Sequence, residues 1–197
     1  MPKNTFSFSE HSSSILDLEN YYFTIAKLIE RKHQKETNPN FDEDFKFMRI
    51  DEVSQQAEIL MKELTFEGNL ALLSYIESLF RIDAVLRCQS KKKNDPMVKA
   101  FSKEVKNLNG KKHYHYIRIK ETILSQWEKA NPQLSNLINE LNQAFDYRNW
   151  LAHGHYWVFK EPIHKYSFEY VLKLAKQTEC DIKPLLYQRL NIGEKIT

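Results

Sequence analysis

With 197 residues, 42% hydrophobic and 28% charged, the chain has the make-up of one ordinary globular domain spanning residues 1–197. A formal net charge of +3 is too mild to demand an anionic partner, and no apolar run approaches the roughly 20 residues of a membrane span, so no membrane is expected among its partners. Cys88 and Cys180 form no framework spacing and read as free thiols of a reducing, cytoplasmic compartment, and the opening "MPKNTFSFSE" lacks the apolar core of a secretory leader.

Ser14 and Asp17 form the pattern of a capping box, and Ile15, Leu18, Tyr22, Ile25 and Ile29 then recur at helical spacing, which predicts a helix over 14–34. "NPNFDED" breaks the pattern. Val53, Ala57, Leu60, Met61 and Leu64 mark a second amphipathic helix. A third follows in "GNLALLSYIESLFRIDAVLR", with Leu73, Ile76, Phe80 and Ala84 on one face; as the most apolar of the set it is expected at the centre. Its Glu77/Arg81 and Asp83/Arg87 pairs have the four-residue spacing of ordinary helix ion pairs. Asp95-Pro96 predicts an N-cap and first-turn proline for a shorter helix with Val98, Phe101 and Val105 inward, ended by Gly110. A further helix carries Ile117, Ile123, Leu124 and Trp127. Asn131-Pro132 starts the next, striped by Leu134, Ile138, Leu141 and Phe145. "HYWVFKEP" reads as extended, and a last helix over about 167–178 holds Val171, Leu172 and Leu174. The expected fold is all-α, an up-and-down helical bundle with additional short helices.

The stripe of the long helix, continued from Phe145, reaches Arg148 and Ala152. A guanidinium facing a bundle costs several kcal/mol unless it is paired. Glu77 borders the apolar face of the central helix and could neutralise it. An arginine kept for a bound phosphate would instead meet no protein anion. Asn149 and His153 are four apart and share an adjacent face. Arg148 and His153 are five apart, about 140° round an ideal helix, and can converge only where the helix ends, as Gly154 predicts.

Arg148-Asn149-x-x-Ala152-His153-Gly154 resembles the R-x4-6-H signature of HEPN domains, with the polar residue that commonly follows the arginine. "LLSYIESLFRID" resembles the helix that precedes that motif, and the likeness spans about 50–180, with helix 14–34 packed on it. The resemblance implies a small HEPN-like bundle that dimerises and draws one composite site from both subunits. It also implies a metal-independent, cofactor-free endoribonuclease of toxin–antitoxin or defence systems, with an antitoxin or defence-system protein as a possible partner.

The chemistry suits the residues. Cleavage by the substrate's own 2′-hydroxyl needs a group that moves protons near neutral pH, the role of His153, and a fixed planar cation on the phosphorane oxygens, the role of Arg148. Asn149 would orient the histidine or a phosphate oxygen. Tyr156 stands as an auxiliary candidate beside Glu77. "NGKKHYHYIRIK", residues 109–120, has four Lys or Arg, two His, two Tyr and no acid. Charge for phosphates interleaved with rings for bases makes Lys111, Lys112, His113, Tyr114 and Arg118 candidates for RNA binding; a solvated helix start has the same composition. His113/His115 and His153/His155 lack completing ligands, so no metal is expected. The alternatives to the enzyme are a non-catalytic HEPN module that binds RNA, a nucleotide or a partner protein, and a helical scaffold. A homodimer through the helix ending at Gly154 is expected because Tyr147, Trp150, Leu151 and Trp157 crowd several faces of it.

Overall fold

The computed structural model describes residues 14–89, 94–107, 117–154 and 157–186. Among them are seven α-helices: α1 (Ile15–His33), α2 (Phe41–Asp44), α3 (Ile50–Gln89), α4 (Pro96–Asn107), α5 (Ser125–Ala130), α6 (Ser135–Ala152) and α7 (Phe168–Asp181). A π-helical segment, Ile119–Leu124, runs directly into α5, and single 3-10 turns at Pro132–Leu134, Ile163–Lys165 and Lys183–Leu185 flank the later helices. The described residues contain no strand, and the architecture is an all-α bundle. No helix among them is long and apolar enough to cross a membrane.

Helix starts follow the local chemistry. The Ser14 hydroxyl accepts from the Asp17 backbone N–H while the Asp17 carboxylate accepts from the Ser14 N–H, a complete capping box. The Asp95 carboxylate accepts from the backbone of Met97 and Val98 at 2.8 and 3.3 Å, capping α4. Ser167 caps α7 through Tyr170. Asn131 departs from expectation: its amide donates back to the Trp127 carbonyl at 3.1 Å, closing α5, and makes no cap bond to the turn that opens α6. Gly110 and the predicted extended residues His155 and Tyr156 lie outside the described residues, and 157–162 is irregular.

The stretch read as two helices, around 53–64 and 68–87, is one continuous helix of 40 residues, about 60 Å long at 1.5 Å per residue. Gly68 does not interrupt it, since one interior glycine costs only about 1 kcal/mol. Its place is explained by packing. A Cβ there would stand 2.8 Å from the Phe168 ring, which stacks on Tyr22 with centroids 3.5 Å apart and planes 5° apart. α3 is the axis of the bundle and touches α1, α4, α6, α7 and the π-helical segment. Leu72, Leu73, Ile76 and Phe80 are sealed completely. Leu60, assigned to the inner stripe, is instead 40% exposed.

Asp83 and Arg87 are not an ordinary surface pair. Both are buried, and the Asp83 carboxylate accepts from Arg87 Nε at 2.8 Å and from the Trp127 indole at 3.2 Å. Arg87 also donates to Asp95 at 2.8 Å and to the Leu185 carbonyl at 3.3 Å. This network ties α3 to the start of α4, to α5 and to the turn after α7.

Candidate functional site

α6 is positioned by Leu137, Ile138, Leu141, Ala144 and Phe145, all buried. Tyr147, Trp150 and Leu151 are buried as well, because α3, α7 and the segment at 157–166 enclose its C-terminal half. Tyr147 stacks on Tyr166 at 4.3 Å, and the Trp150 indole donates to the Trp157 carbonyl at 2.7 Å. Of the four residues whose crowding predicts a dimer, a single chain therefore absorbs three, and Trp157 alone is left 36% exposed. The crowding carries no argument for a second copy.

Arg148 sits where the stripe places it, half-buried, with its Cζ 5.9 Å from the Phe145 ring centroid. It is not kept clear of protein anions. Its guanidinium forms an ion pair with Glu77, whose side chain is only 12% exposed. The same carboxylate accepts from Arg81 Nε at 2.5 Å, and Arg81 donates in turn to the Ile117 carbonyl at 3.0 Å. One acid thus stands between two cations where α3, α6 and Ile117, two residues before the π-helical segment, meet. Burial pulls both guanidinium groups down from their ordinary value, yet an arginine starts so high that both stay charged. Among the described residues the buried Nε of Arg148 makes no hydrogen bond. Arg81 had been readable only as Glu77's helix neighbour; its share in this cluster is set by the helix crossing.

His153 is the C-cap of α6 and is exposed. Its backbone N–H donates to the Asn149 carbonyl at 3.1 Å, and Gly154 follows at φ 72°, the left-handed cap that its identity predicts. The imidazole lies 5.9 Å from the Trp157 ring, centroid to centroid. Asn149, half-buried, faces a cleft of about 460 Å³ between α6 and the 157–161 segment, lined also by Gln143, Asp146, Trp157, Phe159 and Glu161. Lys120 reaches across from the π-helical segment to both Asp146 oxygens at 2.6 and 2.7 Å, and Lys165 donates to the Gln143 side-chain amide oxygen at 2.6 Å.

Of the RNA-binding candidates, Arg118 is exposed beside that segment, whereas Lys111, Lys112, His113 and Tyr114 lie outside the described residues, as does Tyr156. Among the described residues no group of three or more His, Cys, Asp or Glu comes together as a metal set. No family model, curated protein or solved structure matches the chain.

Proposed function

We propose that the chain is a metal-independent endoribonuclease of HEPN type, serving as a toxin or in antiviral defence. The observation that supports this reading is the end of α6. There an arginine is held half-buried on the inner stripe, and the motif's histidine stands exposed at the helix cap rather than sealed in the core. In this reading His153 takes the proton from a ribose 2′-hydroxyl as that oxygen attacks phosphorus. The P–O5′ bond breaks, the imidazolium returns a proton to the leaving 5′-oxygen, and the products are a 2′,3′-cyclic phosphate and a 5′-hydroxyl. Arg148 neutralises the charge on the phosphorane oxygens, and Asn149 orients the imidazole or a phosphate oxygen. The site is composite, with Arg148 and His153 of two copies facing one strand, and the exposed Arg118 would add a cation for the strand's backbone.

The pure protein should cleave mixed RNA in EDTA and leave cyclic-phosphate ends, with His153→Ala slower by about 100-fold or more. Intact RNA after incubation with the wild-type protein would remove the enzyme reading. Light scattering should give a dimer, and a monomer at micromolar concentration would remove the composite form of the site. A second reading has its own observation. Glu77 already neutralises Arg148, as expected of a non-catalytic HEPN module that binds RNA, a nucleotide or a partner protein such as an antitoxin.

A further inference from the structure

We infer that the cleft between α6 and the 157–161 segment is a nucleobase subsite selective for adenine and cytosine over uracil. The inference rests on the reading of the chain as an RNA-directed protein and adds where, and how selectively, the strand is held.

The cleft's volume of about 460 Å³ falls within the roughly 300–1,000 Å³ of small-ligand pockets. Its walls are of two kinds. Trp157, 36% exposed, and Phe159 supply aromatic surface, and a planar base stacks on an indole whatever its sequence identity. Facing them along α6 are the side chains of Gln143, Asp146 and Asn149, one turn apart, with Glu161 at the rim. Asp146 and Glu161 line it beside the cation Lys160, and each already has a lysine partner, Lys120 at 2.6 Å and Lys165 at 3.9 Å; with rings on one wall and amides and carboxylates on the other, the part of a nucleotide it would accept is the uncharged base.

Position favours the same occupant. The Trp157 ring lies 5.9 Å from the His153 imidazole, so a base stacked on the indole sets its own ribose beside the group that would handle the 2′-hydroxyl proton. Asn149 belongs to both places. Its backbone carbonyl receives the His153 N–H at 3.1 Å, and the residue is part of the cleft's lining. Lys120, drawn to Asp146 at 2.6 Å, marks the edge where an adjoining phosphate would find a cation.

The selectivity follows from the donors and acceptors. Asp146 and Glu161 only accept, and a carboxylate has about four lone-pair sites, so Asp146 can accept again while bound to Lys120. The Gln143 oxygen is taken by Lys165 at 2.6 Å, which leaves its NH2 to donate. Adenine and cytosine offer an amino group beside a ring acceptor, the pattern that amides and carboxylates read. Uracil would turn two carbonyl oxygens toward carboxylates.

The test uses 2′-O-methyl trinucleotides of adenine, cytosine and uracil, which lack the nucleophile and cannot be cleaved. Trp127 and Trp150 are 1% and 6% exposed, so quenching of tryptophan emission reports on Trp157. Adenine or cytosine trinucleotides should quench it and, by anisotropy of a labelled strand, bind about 10-fold more tightly than uracil. Trp157→Leu, on an irregular exposed segment, should weaken the favoured trinucleotide by about 10-fold with an unchanged circular dichroism spectrum. Equal affinity for the three, or wild-type affinity in Trp157→Leu, would overturn the subsite. Selective, Trp157-dependent binding by a protein that leaves RNA uncut would uphold it and remove the nuclease. RNA cleavage without selectivity or Trp157 dependence would do the reverse.

Discussion

Glu77 is bound on both sides, by Arg81 from its own helix and by Arg148 from α6, and that asymmetry governs what single substitutions should do. Removing Arg148 leaves the carboxylate with Arg81. Removing Glu77 leaves two half-buried guanidinium groups with no anion between them. Loss of one partner from a fully buried pair costs about 3–5 kcal/mol. With side chains still 12–30% exposed, about 1–2 kcal/mol is expected for Arg148→Ala and about 2–3 kcal/mol for Glu77→Ala. Urea titration of both variants checks the order, and a larger loss for Arg148→Ala would contradict the account. If Arg148 also serves a phosphate, its removal should depress RNA cleavage far more than the folded fraction. Cysteine chemistry separates as cleanly. Burial, with the Asp83 charge nearby, pushes the Cys88 thiol up to about 12, whereas Cys180 is exposed. Iodoacetamide at mildly alkaline pH should alkylate Cys180 and spare Cys88, as read by peptide mass spectrometry.

α3 and α6 show how an element's neighbours revise what its residues prefer alone. In an isolated helix, Gly68→Ala should stabilise by about 1 kcal/mol. In this bundle the added Cβ meets the Phe168 ring edge at 2.8 Å and Tyr22 at 3.2 Å, and Phe168 is 1% exposed, so the ring cannot swing away. A net loss of about 1–2 kcal/mol is expected. Thermal melting should show it, and Phe168→Leu in the same chain should recover part. The α6 terminus behaves differently. At Gly154 a Cβ would meet nothing within 4 Å, but φ is +72°, so Gly154→Ala should cost about 1 kcal/mol through the backbone alone. It should also loosen the cap that holds His153, lowering cleavage more than stability.

For the molecule as a whole, the Asp83–Arg87 network joins parts distant in the chain. Arg87→Ala would take from the Asp83 carboxylate, whose side chain is 0% exposed, the charged donor that holds it at 2.8 Å. A loss of about 3–5 kcal/mol is expected. Because Arg87 also holds the Leu185 carbonyl at 3.3 Å, hydrogen exchange in 183–186 should quicken in milder variants such as Arg87→Lys. Unchanged exchange there would show that the tie is incidental. Exposed apolar surface lies at Phe47, Ile50 and Ile59 near the start of α3 and at Leu16, Tyr21 and Leu28 on α1, as well as at Trp157 and Val158 beside α6.

What the sequence by itself determined was whatever depends on near neighbours in the chain. Helical period, the Ser14/Asp17 box, the Asp95-Pro96 start and the glycine stop after α6 all act within a few residues, and so they were legible. Arg148 could be recognised as out of place for the same reason. Glu77 could be named as a candidate anion because it borders the apolar face, but that it answers the arginine, rather than a bound phosphate, was left open, since Glu77 lies 71 residues away and faces it only because two helices cross there. The fusion of two predicted helices into α3 was hidden because Gly68 answers to a ring 100 positions later. The burial of Asp83 and Arg87 was hidden because a four-residue pair has the same pattern on a wet face and a dry one. The dimer argument failed on the same ground, for periodicity counts aromatic faces but not the segment that folds back to cover them. The tertiary structure decided these points, because burial and ion pairing are set by which surfaces meet in space, and that is a long-range property of the chain.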